Sequence, residues 1–235
     1  MSALQFVSAL LIVAAGLGPQ DAGRSRGKVR TIQRPQGVPI QSVLRPSDEI
    51  VVLREGIWGP PLTIDFANKR EAEEFELELL SRRDNALLLV QVESMDSALD
   101  ASESWIMSTA RMKILEVWSR GLGPLDGTWG DVTIDTKSGE MTLKFDGGEM
   151  RFGKTLVSAG SFAYWEPKAT YLMSFAVVPD QKAAHMGLVY QVGANGRLAA
   201  QRLSRGGEDF NVYALKGRRL SEVRKLIARA RYPEN

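Results

Sequence analysis

The sequence predicts a mainly β protein, α+β by content, built as an antiparallel, partly open barrel or sandwich with one helix before the main strands and one at the C-terminus. Three observations predict this class: two strand-like segments between Ala86 and Ser119, hairpin turns after them, and two amphipathic helical stretches. With 235 residues the chain can bury one sizeable core, so we expect one main domain.

Residues 1–18 resemble a secretory signal peptide, because the apolar run Ala9–Leu17 ends in small residues. The run is shorter than the roughly 20 residues that a membrane-spanning helix needs. We therefore expect a secreted or periplasmic protein without a transmembrane span in the mature chain.

Residues 19–47 form a predicted linker rich in Pro, Gly and basic residues. Its cations suit either a basic arm for nucleic acid or anionic lipid, or a solvated linker. No aromatic residue is interleaved for base stacking, which favours the linker and gives no specific nucleic-acid signal. The net charge of +2 points to no polyanion either.

The predicted β domain, residues 48–216, opens with short strands at Ile50–Leu53 and Leu62–Phe66 and a helix over 68–83. Asn68 is the expected N-cap, and Glu71 follows three residues later as in a capping box. An apolar stripe at helical spacing faces the core. Its members are Ala72, Phe75, Leu79 and Leu80.

The two strand-like segments organise everything downstream. Leu87–Val92 is a continuous apolar run typical of a strand buried on both faces, whereas the next segment alternates apolar and polar residues. That alternation shifts by one residue near Ile114 and Leu115, which predicts a bulge. The loop Asp96–Ser104 should be solvated. One core should contain Leu88, Val90, Val92, Ala110, Met112 and Ile114.

Further strands follow, and Asn195-Gly196 is the clearest hairpin turn. The predicted strands are Val132–Asp135, Met141–Phe145, Glu149–Phe152, Tyr171–Val178, Leu188–Val192 and Leu198–Leu203. Residues 217–235 form a predicted amphipathic helix that Ser221 caps and that runs to about Arg231. Its cations suit contact with anionic lipid or cell wall, or plain solubility.

The order of these segments resembles a group of uncharacterised exported bacterial proteins. The resemblance covers residues 62–203 and rests on LTIDFANKREAEEFELELLSRRDNALLLVQV, WIMSTARMKILEVW, GGEMRFG and PKATYLMSFAVV. Those relatives carry "vv-G-V", "V-evlKG", "GGe-r-g" and "pG-rYLlFL" segments. Here Trp118-Ser119-Arg120 replaces the usual Lys-Gly ending, and Lys168-Ala169-Thr170 replaces the usual Gly.

The layout is also similar to the OB-type barrel of tissue inhibitors of metalloproteinases and netrin modules. The resemblance implies an OB/TIMP-like fold and no recognised catalytic residue. Inhibition in that family depends on an N-terminal cysteine, and this chain has no cysteine. The inhibitory activity is therefore not carried over.

Composition removes several chemistries. Without cysteine there are no disulfides, thiol nucleophiles or thiolate metal sites. The single histidine, His185, is expected on an exposed loop, and no serine stands in a nucleophile-elbow context. The glycines of 121–130 do not follow a strand and open a helix, so they predict no dinucleotide site. We predict no catalytic residue, metal ligand or cofactor.

Large aromatic residues are the remaining candidates. Trp129, Tyr164 and Trp165 stand in predicted loops, where they would form a surface for sugar or peptide, or else plug the barrel end. The sequence therefore favours a non-enzymatic, exported binding or interaction module of the bacterial envelope, with an envelope protein or glycan as partner. The alternative is a secreted hydrolase with an unidentified carboxylate-based site.

Overall fold

The computed structural model describes residues 29–33, 37–54, 66–159, 165–200 and 214–231. The helices are α1 (Ile40–Val43), α2 (Lys69–Ser81) and α3 (Leu220–Arg231). The strands are β1 (Val29–Gln33), β2 (Ile50–Arg54), β3 (Asn85–Leu99), β4 (Ile106–Arg120), β5 (Gly127–Trp129), β6 (Val132–Asp135), β7 (Glu140–Asp146), β8 (Gly148–Phe152), β9 (Thr155–Ala159), β10 (Thr170–Val178), β11 (Ala183–Val192) and β12 (Leu198–Ala200). The predicted signal peptide, Tyr164 and most of the predicted strand Leu62–Phe66 lie outside the described residues.

The predicted fold class is confirmed. Eight strands form one antiparallel sheet in the order β12-β11-β10-β3-β4-β7-β6-β5, and a smaller sheet has the order β1-β2-β9-β8. The large sheet curls until β5 lies beside β11, where a Cβ on Gly130 would stand 3.8 Å from the Lys182 carbonyl oxygen. Within the described chain these two strands form no ladder, so the barrel is partly open.

Residues 86–90 of β3 are buried on both faces, as the continuous apolar run predicts, whereas residues 93–99 are exposed or half-buried. Leu88 and Val90 point into the barrel core, whereas Leu87 and Leu89 point outward against a second apolar cluster. On its two edges β3 pairs with β4 and β10. The six residues predicted to share one core all lie in the barrel core.

The bulge predicted near Ile114 is confirmed. Leu89 pairs with Glu116 and Val90 with Ile114, so Leu115 is the extra residue of β4. The pairing shifts twice more along this hairpin, between Leu87 and Leu88 and between Val92 and Ser94. Each bulge increases the local twist, which helps the sheet to curl into a barrel.

Several sequence expectations were wrong in detail. Trp129 ends β5 instead of lying in a loop, and Ser221 is the second residue of α3 instead of its cap. The loop Asp96–Ser104 is shorter than expected, because β3 continues to Leu99 and Asp96 pairs with Thr109. His185 is exposed but lies within β11, opposite Ala176. The predicted linker contains β1 and α1. A strand whose outer face meets solvent can contain many polar residues. Interpreting polar segments as loops therefore made the predicted loops too long.

Helix α2 begins as predicted. The Asn68 Oδ1 accepts a hydrogen bond from the Glu71 amide at 3.0 Å, and the Glu71 carboxylate accepts one from the Ala67 amide at 2.7 Å. Helices α2 and α3 cover the outer face of β3, β10, β11 and β12. The buried residues of this second cluster are Leu80, Leu87, Leu89, Leu172, Tyr190, Leu198, Leu215, Val223 and Ile227.

The smaller sheet packs against the turn end of the β3–β4 hairpin. Trp105 and Ile106 are buried there in a third apolar cluster. Glycine at position 148 lets β8 of the smaller sheet approach β4 of the large sheet closely. A Cβ at this position would lie 2.0 Å from the Ser108 hydroxyl. Within the described ranges, no helix combines the length and apolar composition needed to cross a membrane.

We expect Val90→Asp to lower the free energy of unfolding by about 4 kcal/mol or more, because it places an unpaired charge in the barrel core. Val90 has no exposed surface, whereas Ala98 on the same strand is exposed. The control Ala98→Asp should change stability by less than about 1 kcal/mol. Equal denaturant midpoints for Val90→Asp and the parent protein would contradict the position of β3.

Candidate binding surface

Trp165 belongs to the barrel core. Its side chain is 1% exposed, and its ring packs edge-on against Tyr171 at a centroid distance of 4.9 Å. The Tyr171 hydroxyl accepts a hydrogen bond from the Glu166 amide at 2.9 Å, which fixes the chain entering β10. Trp165 therefore packs in the barrel and does not contribute to an exposed aromatic surface.

Trp129 lies at the edge of the large sheet and is half-buried. Its indole Nε1 donates a hydrogen bond to the Leu125 carbonyl at 3.0 Å. The ring lies over Gly127, where a Cβ would stand 3.1 Å from it. Trp129 keeps some accessible surface, but it is not brought together with Trp165 in an exposed patch, and Tyr164 lies outside the described residues.

Two other tryptophans have structural positions. Trp105 is buried in the third cluster. Trp118 is half-buried, its Nε1 donates to the Glu116 carboxylate at 3.0 Å, and the Arg224 guanidinium lies 5.3 Å from its ring centroid. Arg224 and Glu116 also form an ion pair at 2.8 Å, so this group fastens α3 to β4.

Both buried carboxylates are engaged by donors of the protein. Asp48 accepts hydrogen bonds from the Arg30 side chain and the Arg45 amide, and the Arg30 bond lowers its pKa. Glu76 accepts from the Tyr190 hydroxyl and from two backbone amides of the segment preceding α3. Burial nevertheless raises the pKa of Glu76.

These contacts give both carboxylates structural roles. The described residues contain no group of three or more His, Cys, Asp and Glu side chains that could hold a metal ion. The buried carboxylates of Asp48 and Glu76 therefore hold segments of the chain together.

The half of the large sheet that the helices leave uncovered presents a polar surface, here called the open face. It lies on β4, β7, β6 and β5, and its side chains are exposed or half-buried. The open face consists of Arg111, Lys113, Thr128, Thr133, Glu140, Thr142 and Lys144.

Cross-strand register places four of these side chains in one row. Arg111 pairs with Thr142, Thr142 with Thr133, and Thr133 with Thr128. The hydroxyls of Thr128 and Thr133 are 3.2 Å apart. Since neighbouring strands are about 4.8 Å apart, the row crosses about 14 Å of the sheet.

The open face carries mixed charge. In the described chain, no carboxylate lies within ion-pairing distance of Arg111, Lys113 or Lys144. Exposed acids stand near them, because Glu140 pairs with Lys113 and Asp96 with Thr109. This mixture favours hydrogen bonding to a polar ligand over attraction of a polyanion.

Sequence reasoning identified the alternation in β4 but missed the open face. The threonine row depends on the register between strands that are distant along the chain, and no local pattern gives that register. The sequence does show one related signal, a threonine at an outward-facing position in each of β5, β6 and β7. These residues are Thr128, Thr133 and Thr142.

No protein-family model matches this sequence, no curated protein is similar to it, and no solved structure matches it. The likeness to exported bacterial proteins and to OB-type modules therefore stays an expectation. Function must be inferred from the chain's own geometry.

We expect Trp165→Ala to lower the free energy of unfolding by about 3–5 kcal/mol, because it empties a large volume of the barrel core. Trp129→Ala should cost less than about 2 kcal/mol, since its ring is only half-buried. Thermal or denaturant melts of the two variants measure the difference. Equal losses would contradict the distinct environments described for the two rings.

Proposed function

We propose that the protein is a non-enzymatic, exported binding module of the bacterial envelope and that the open face is its ligand surface. The observation that carries this proposal is the row from Arg111 to Thr128, whose side chains project from a sheet with a packed core behind it. A rigid sheet holds such groups in fixed positions, which reduces the entropy lost when a ligand binds.

The chemistry of the open face favours a hydroxyl-rich envelope glycan. Threonine hydroxyls both donate and accept hydrogen bonds, and the Arg111 guanidinium offers several donors in one plane. A glycan chain presents donors and acceptors at intervals along its length, so it can meet successive members of the row. The nearby acids Asp96 and Glu140 are additional acceptors for sugar hydroxyls.

Two further features support a binding module. The buried carboxylates Asp48 and Glu76 already hold protein donors, so neither is placed to act on a substrate. The predicted signal peptide at residues 1–18 supports a location outside the cytoplasm, where envelope glycans are found.

Co-sedimentation with insoluble peptidoglycan sacculi tests the proposal. The variant Arg111→Ala, Thr133→Val, Thr142→Val removes one guanidinium and two hydroxyls: the Thr→Val changes keep the side-chain shape, and Arg111→Ala shortens an exposed side chain. Since each lost hydrogen bond contributes about 0.5–1.5 kcal/mol, retention should weaken about tenfold or more. The variant Arg151→Ala, Thr31→Val is the control, because it removes one guanidinium and one hydroxyl at exposed positions of the smaller sheet.

The control should sediment like the parent protein, and both variants should keep the parent's melting temperature within a few degrees. Failure of the parent protein to sediment with sacculi would overturn the glycan proposal. Equal retention of all three proteins would show that the open face is not the ligand surface.

A further inference from the structure

We propose that the outer surface of α3 and the turn beside it dock onto an anionic lipid surface. The residues concerned, here called the basic strip, are all exposed and lie on the helical side of the molecule. The basic strip consists of Arg197, Lys216, Arg219, Lys225 and Arg229. This docking surface is separate from the open face and does not rest on the glycan proposal.

The segment 214–231 is strongly basic, with seven cations and a single acid, Glu222. Three of the cations are bound by other parts of the protein. Arg218 pairs with Glu73, Arg224 pairs with Glu116, and Arg231 donates to backbone carbonyls at the end of α2. Contacts with the rest of the protein thus explain these three cations. The other four are Lys216, Arg219, Lys225 and Arg229, and their side chains are exposed.

Two arginines of the basic strip are held side by side. Arg197 and Arg219 face each other across an antiparallel bridge, and like charges in that position repel. The Arg197 guanidinium donates to the Gly217 carbonyl at 2.5 Å, which keeps it against the residue that follows Lys216. Within the described ranges, no carboxylate forms an ion pair with a member of the basic strip.

The other two helical members point away from the core. Lys225 and Arg229 are one turn apart, each two residues after a buried residue of α3, Val223 or Ile227. Helix α3 is about 18 Å long, so the cations are distributed along an extended surface. That distribution suits a surface with many anionic groups better than one small anion.

The acids of the neighbouring helix do little to neutralise the basic strip. Glu73 binds Arg218 and Lys69, and Glu74 binds Arg70. Glu71 accepts from the Ala67 amide, and Glu76 is buried against Tyr190. Glu78, the fifth acid of α2, is exposed and acts electrostatically on Arg82.

Docking would be electrostatic and without insertion. The apolar face of α3 already packs in the second cluster, so no large apolar side chain of the helix is exposed for insertion into the lipid. Each Lys or Arg near an anionic surface strengthens binding by about fivefold, and salt weakens it. The basic strip contains no aromatic residue for base stacking, which favours lipid over single-stranded nucleic acid.

Co-sedimentation with lipid vesicles at low ionic strength tests the inference. The full chain should bind vesicles of phosphatidylcholine mixed with phosphatidylglycerol and should not bind phosphatidylcholine alone. Lys225→Glu with Arg229→Glu should weaken binding at least about 25-fold, because two attractive charges become repulsive. Arg151→Glu with Lys154→Glu makes the same charge change at exposed positions of the smaller sheet and should retain most of the binding.

Melting curves establish that both double variants are folded. Equal losses in the two variants would overturn the inference, because binding would then follow net charge and not the basic strip. It would also be overturned if the parent protein ignored phosphatidylglycerol vesicles or bound an oligonucleotide more tightly than the vesicles. None of these outcomes bears on retention by sacculi, which depends on the open face.

Discussion

Burial of β3 on both faces is the constraint on which the rest of the structure depends. Its inward side chains complete the barrel core and its outward side chains form the floor of the helical layer, so a single strand stabilises both. Strand β3 also pairs along both edges, so it lies in the interior of the sheet. Successive residues from Ala86 to Val90 are therefore apolar, because both of their faces are buried. The bulges in its pairing with β4 let the sheet curl while the alternating residues of β4 keep one face inward and one outward.

The helical layer is fastened to this strand by polar contacts as well as apolar packing. Arg231 at the end of α3 donates to the carbonyls of Leu80 in the last turn of α2, of Arg82 at its C-cap and of Asn85 at the start of β3. At the other end, Glu76 holds the chain entering α3 through two backbone amides. Burial raises the pKa of Glu76, and the hydrogen bonds from Tyr190 and from these two amides oppose that rise.

Much of the central fold could be predicted because its signals are local. The apolar run of β3, the parity shift at Leu115 and the Asn68 cap each involve a few neighbouring residues. Two strands of the smaller sheet, Ile50–Leu53 and Glu149–Phe152, were predicted, whereas β1 and β9 were missed. Strand β1 is stabilised by distant contacts such as the ion pair between Arg30 and Asp48. The open face was beyond local patterns for the same reason, since it depends on strand register. The burial of Trp165 agrees with barrel-end packing, one of the two interpretations that its sequence context allowed.

The helices and the open face lie on different parts of one curled sheet, so the core that β3 organises supports both proposed surfaces. Native-state hydrogen exchange tests that central position most directly. The amides of residues 86–92 and their partners on β4 and β10 should be the slowest to exchange, with protection that reaches the global free energy of unfolding. The account would be contradicted if these amides exchanged through local opening while the amides of the smaller sheet or of α3 stayed protected.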